Sequence, residues 1–108
     1  MKTSSYSTIE AITRLIVKEF SPEKIILFGS YVNGNQANDS DIDLLIIKNT
    51  NERFIDRWTS VRKIISDPNR KIGIDTLVLT PQEINERLLH GDQFITDIIE
   101  NGEILYAR

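Results

Sequence analysis

Apolar residues fall along this chain in two rhythms. Ile9, Ile12, Ile16 and Phe20 recur at helical spacing, with Leu15 beside them. Ser7-Thr8-Ile9-Glu10 reads as a capping box, with Ser7 at the N-cap and Glu10 reaching back. The pattern predicts a first helix from about Thr8 to Glu19, broken by Ser21-Pro22. The rhythm then tightens. Lys24-Ile25-Ile26-Leu27-Phe28 is a short apolar run bounded by Gly29 and reads as a buried strand. Residues 29–40 are rich in Gly, Asn and Ser and read as a turn or loop. Asp41 to Ile47 is a second strand. Phe54, Trp58, Val61 and Ile65, with Ile55 and Ile64 alongside, mark an amphipathic helix over about 52–66, ended by Asp67-Pro68-Asn69.

A third strand is expected from Ile72 to Leu79. Thr80 and Glu83 form a second capping box, with Pro81 at the first helical position. Ile84 and Leu88 should face inward on the helix that follows. Gly91-Asp92 breaks and restarts it. Phe94, Ile95, Ile98 and Ile99 should face the core before Gly102 ends the segment. Glu103 to Tyr106 suggests a last short strand. The order is α-β-turn-β-α-β-α-α-β, one α+β domain over residues 1–108.

Composition narrows this picture in three ways. With 108 residues there is enough chain for one small core. There is no cysteine, which excludes disulfides and thiolate metal ligands. The formal net charge is -3, so a strongly basic nucleic-acid footprint is absent and direct nucleic-acid binding is not expected. No apolar run approaches the roughly 20 residues of a membrane span, and the opening Met1-Lys2-Thr3 lacks a signal-peptide core. A cytoplasmic protein without membrane attachment is the default expectation.

The second strand carries the chemistry. Asp41, Asp43, Leu45 and Ile47 share one face; Ile42, Leu44 and Ile46 share the other. Aspartate is a poor strand former. Two carboxylates about 5 Å apart repel by roughly 3 kcal/mol at an effective dielectric near 20. Such a pair persists if a cation neutralises it or if water solvates it well. Asp75 interrupts the third strand in the same way and can join the Asp41/Asp43 face if the two strands are neighbours. Three carboxylates without histidine or cysteine favour a hard ion, Mg²⁺ first and Mn²⁺ second. Mg²⁺ commonly shares its coordination with substrate phosphates, which points to a nucleoside triphosphate. Gly29 lets the backbone turn and approach a ligand closely, Ser30 adds a hydroxyl, and a helical turn beginning there would aim its amides at phosphate.

Gly29-Ser30, ten residues, then Asp41-Ile42-Asp43 resembles the signature of the polymerase-β-like nucleotidyltransferase superfamily. Leu27-Phe28-Gly29-Ser30-Tyr31, Gly34 and Ser40-Asp41-Ile42-Asp43-Leu44-Leu45 look like its minimal nucleotidyltransferase branch. The likeness extends through Ile74-Asp75-Thr76-Leu77-Val78-Leu79-Thr80-Pro81 to Gly102-Glu103-Ile104-Leu105-Tyr106. It implies a small mixed sheet in which strands one and two pair as a hairpin and strand three joins through a helical crossover. It implies Asp41 and Asp43 as ligands of two metals, Asp75 as a third ligand and proton acceptor, and Gly29 and Ser30 holding the β- and γ-phosphates of ATP. It also implies a partner: members of this branch act as antitoxins to small helical RNases of the HEPN class and adenylylate a tyrosine on them. Homo- or hetero-oligomers fit that reading. Where the family often carries a basic residue before the second glycine, this chain has Asn33. A phosphate-binding cation must then come from elsewhere, with Lys24, Lys48, Arg70 and Lys71 as candidates, or be lacking.

Other readings compete. Asp39, Asp41 and Asp43 resemble the opening of an EF-hand, but Leu44 stands where that loop needs glycine and Thr50 where it needs glutamate. His90 reads as a helix-end residue, Phe54 and Trp58 as core, Tyr106 as packing, and Gly34 as a turn requirement. Tyr31 is either packing or a stacking surface for a base. Two functional alternatives stand beside protein adenylylation. One is a binding module that neutralises its partner by contact alone; the other is nucleotidyl transfer to a small-molecule hydroxyl.

Overall fold

The computed structural model describes residues 2–34 and 40–108. In chain order the elements are α1 (Lys2–Phe20), β1 (Lys24–Phe28), α2 (Ser30–Asn33), β2 (Ile42–Ile47), α3 (Phe54–Ile64), β3 (Ile74–Leu79), α4 (Pro81–Leu89), α5 (Gln93–Asn101) and β4 (Glu103–Ala107). The sheet order is β3-β2-β1-β4. β1 runs antiparallel to both β2 and β4, while β2 and β3 are parallel. A parallel pair cannot be joined by a tight turn, and α3 supplies the crossover. The α+β class and the mixed sheet anticipated from sequence are both present.

Strand alternation divides the core in two. Ile25, Leu27, Ile42, Leu44, Ile46, Ile74 and Val78 face one side, where α1 and α3 cover them with Ile9, Ile12, Ile16, Phe20, Val61 and Ile65. Ile26, Leu45, Ile47 and Leu79 face the other, under Ile84 of α4 and Ile95 and Ile98 of α5. The strands are apolar on both faces because helices cover both. Among the described residues no helix is long and apolar enough to cross a membrane.

Several boundaries differ from the sequence reading. α1 begins at Lys2, so Ser7 lies inside the helix and does not cap it; no Pro or Gly among residues 2–6 stops the helix from extending. Its end is as expected: Ser21 takes the left-handed conformation at φ 53°, its amide donates to the Val17 carbonyl at 3.2 Å, and Pro22 follows. The capping box of Thr80 and Glu83 is formed as read, and Asp92 caps α5 through the Ile95 amide.

The larger correction concerns α3. Phe54 and Trp58 are not core; they are 45% and 39% exposed. The inward stripe runs through Arg57 and Val61 instead. Arg57 is 4% exposed, and its guanidinium makes paired bonds to the Glu83 carboxylate at 2.8 and 3.0 Å. It also donates to the carbonyls of Val78 and Glu52, each at 3.0 Å. A buried charge so fully bonded fixes the rotation of the helix. Phe54 and Trp58 end at the rim, beside the guanidiniums of Arg57 and Arg62. On α4 and α5, Leu88, Phe94 and Ile99 likewise sit at the rim, while Ile84, Ile95 and Ile98 are buried.

Candidate active site

The candidate residues gather at one end of the sheet, where β1 ends and β2 and β3 begin. Gly29 leaves β1 at φ 82°, a conformation that favours glycine. The chain then makes one helical turn, α2. Its Val32 and Asn33 amides donate back to the Gly29 carbonyl, both at 3.0 Å. Gly34 closes the turn in the left-handed conformation at φ 78°, as its reading as a turn residue required. The first amides of such a turn have no partner within it, so the turn suits an anion above Ser30. Asn33 is the last residue of α2 and is exposed.

Strand register decides where the carboxylates stand. Asp43 lies opposite Phe28 on one side and opposite Asp75 on the other. Neighbouring strands are about 4.8 Å apart, so Asp43 and Asp75 occupy one rung of the ladder on one face. Asp41 is two residues earlier on the same face, just before β2. Asp43 is half-buried, and Asp41 and Asp75 are exposed. A β-carbon on Gly29 would collide with the Asp43 carboxylate, so glycine is required there for space as well as for φ.

Electrostatics mark the same residue. Burial first, then the negative charges of Asp75 and Asp41 and a hydrogen bond with the Asp75 side chain, together push the Asp43 carboxyl up from 3.8 to about 6. A proton shared among crowded carboxylates is what a divalent cation displaces. Among the described residues, however, no three potential ligands converge tightly enough to hold a metal by themselves. The carboxylates form an open set, not a cage. Mg²⁺ tolerates that arrangement when phosphate and water complete its shell. The all-oxygen donor set and the cradle over Gly29 therefore fit Mg²⁺ or Mn²⁺.

The structure also separates the candidate cations. Lys24 pairs with Ile47 at the opposite end of the sheet. Lys48 is nearby there, donating to the Phe20 carbonyl at 2.6 Å and lying over the Phe20 ring. Neither belongs to the site. Arg70 and Lys71 precede Gly73 and Ile74 at the site's end, lining a groove of about 530 Å³ between α1 and the segment entering β3. Asp39 and the rest of 35–39 lie outside the described residues. His90 is at the C-terminus of α4, its Nδ1 2.7 Å from the Glu86 carbonyl, as expected of a helix-end residue. Tyr106 packs against the core.

Three features were missed in the sequence. The Tyr31 hydroxyl donates to the Ser40 carbonyl at 3.2 Å, tying the phosphate-side turn to the residue before Asp41. Phe28, opposite Asp43, meets Phe94 edge-to-face at 5.6 Å and walls the site on the β1 side. Gly73 packs beneath Asp41. Only the last had a local signal, a glycine two residues before Asp75.

Known proteins resemble this chain over most of its length. Residues 10–108 match the family described as Polymerase beta, Nucleotidyltransferase. Two proteins of Methanocaldococcus jannaschii, each named "Putative protein adenylyltransferase", are 34% and 31% identical over 87 and 85 residues. Each alignment takes in 78% of this chain; the chain spans 58% of the first relative's length and 78% of the second's. A crystal structure titled as a "putative nucleotidyltransferase" from Sulfolobus solfataricus shares the fold at a TM-score of 0.67 and 20% identity, over 94% of this chain and 79% of that one.

Proposed function

The chain belongs to the polymerase beta nucleotidyltransferase family, and from that premise we propose that it moves an adenylyl group from ATP to a hydroxyl on a partner protein. The observation that carries this reading is the convergence of Gly29-Ser30, Asp41, Asp43 and Asp75 at one sheet end, with Asp43 and Asp75 on a single rung. Asp41 and Asp43 hold divalent metal, with Asp75 completing one site. Bound there with the triphosphate, Mg²⁺ supplies charge stabilisation at the attacking and leaving oxygens. Gly29 and Ser30 hold the β- and γ-phosphates at the α2 turn. The acceptor oxygen attacks the α-phosphorus and a P–O bond forms. The bond from that phosphorus to the bridging oxygen breaks, and pyrophosphate leaves. Asp75, exposed at the edge strand, accepts the hydroxyl proton.

The acceptor in this reading is a tyrosine of a small helical HEPN-class RNase, which makes the chain an antitoxin. Adenylyltransferase names among its relatives support a protein acceptor. Intact-mass spectrometry of the co-encoded helical protein after incubation with ATP and Mg²⁺ tests it. An added AMP that disappears with Asp43→Asn is expected; an unmodified partner under conditions where the two proteins form a complex would refute it. A second reading has its own observation. Asn33 stands exposed at the phosphate turn where a basic residue is common, and this favours neutralisation of the partner by contact alone. Rescue of growth by the Asp41→Asn/Asp43→Asn double variant would select it.

A further inference from the structure

We propose that Gly73 is a positioning residue for Asp41, setting where that carboxylate can meet a metal. The inference rests on the metal-site reading above and adds a residue to it. The parallel ladder pairs Ile42 with Ile74 and Asp43 with Asp75, so Gly73 stands beside Asp41 one step earlier on the same face. The Ile42 amide donates to the Gly73 carbonyl at 2.9 Å, which fixes the backbone between Asp41 and Asp43.

The backbone at this position does not itself demand glycine. The glycines with positive φ are Gly29, Gly34 and Gly91. What a side chain there would meet is Asp41. A β-carbon at residue 73 would fall on the Asp41 carboxylate, with Oδ1 nearest. Gly29 and Asp43 show the same arrangement on the neighbouring strand, so each aspartate of the pair rests on a glycine of an adjacent strand. The two differ in consequence. Asp43 is half-buried and hemmed in. Asp41 is exposed and its carboxylate can swing into solvent. A methyl at 73 therefore leaves the fold intact and moves a ligand.

Affinity for the Mn²⁺ complex of a non-hydrolysable ATP analogue, measured by EPR on the full chain, tests this with four proteins: wild type, Gly73→Ala, Asp41→Ala and the double variant. Gly73→Ala should weaken Mn²⁺ binding roughly 10- to 100-fold, as loss of a ligand-orienting contact does. Its melting temperature in EDTA should stay within a few degrees of wild type, the effect expected of a surface substitution away from packing. In the Asp41→Ala background the same change should leave affinity unaltered, because there is no carboxylate left to displace. Unchanged affinity in Gly73→Ala, with wild type binding, would overturn the positioning role and leave the metal site standing. Equal losses in both backgrounds would overturn it too, by showing general damage to the strand. A wild type that binds no Mn²⁺ overturns both the role and the site.

Discussion

Asp43 shows what a crowded carboxylate costs its own fold. Burial and the charges of Asp75 and Asp41 hold its carboxyl near 6, above the ordinary 3.8. A group whose folded pKa is raised contributes stability that is fully present below its unfolded value and lost as pH rises through the folded one. Metal-free protein should therefore lose stability between about pH 4 and 6 through this site. Asp43→Asn should raise the urea midpoint in EDTA at pH 7.5 and give no gain below pH 4, where both forms are neutral. Metal binding must displace the shared proton, so Mn²⁺ affinity should fall as pH drops through about 6. Thr76, on the neighbouring strand β3 and paired with Leu44, offers a control on the opposite face of the sheet. Its hydroxyl is the one buried side-chain oxygen or nitrogen without a partner among the described residues. Thr76→Val keeps the shape and removes the unpaired group, and should stabilise by about 1 kcal/mol in a denaturant titration. The aspartates were legible in the sequence because charge inside apolar strands is anomalous. Tyr31 and Phe28 were not, because each matters only through a residue that the chain brings back from elsewhere; Gly73 showed only as a glycine two residues before Asp75.

At the scale of elements, the strands were the most legible. β1 matches its apolar run, because a segment covered on both faces has little freedom in where it begins and ends. α3 was misread because its rotation is set by Arg57 and Glu83, 26 residues apart in sequence. Periodicity alone ranks Phe54 and Trp58 as core; the bidentate pair overrides it. That pair joins α3 to the capping box of α4, since the Glu83 carboxylate also accepts from the Thr80 amide at 2.8 Å. The Arg57 guanidinium holds the Glu83 carboxyl below its ordinary range, so its contribution is present above about 4.5 and lost as pH falls through the folded value. Glu83→Gln should cost on the order of 2–3 kcal/mol at pH 7. The gap between variant and wild type should close in acid, which a urea titration at pH 3 and pH 7 would reveal. Its loss should spare Mn²⁺ binding, because the pair sits at the far ends of the strands that carry the aspartates.

The whole molecule gathers its candidate residues at one sheet end. Helices cover both faces of the sheet, and the end where β2 and β3 begin carries the carboxylates, the α2 turn and the Phe28–Phe94 wall. The parallel pairing of β2 with β3 is what places Asp75 against Asp43, and α3 makes that pairing possible. Sequence spacing could suggest this register but not fix it, since a one-residue slip would send Asp75 to the other face. The central claim is that this assembled end transfers the nucleotidyl part of ATP, and position-specific label tests it most directly. The full chain, incubated with Mg²⁺ and the helical protein proposed as its partner, should transfer radioactivity to protein from ATP labelled at the α-phosphate. ATP labelled at the γ-phosphate should transfer none, and Asp43→Asn should lower transfer at least roughly 100-fold. Label passing from the γ-phosphate, or α-label transfer undiminished in Asp43→Asn, would contradict the account.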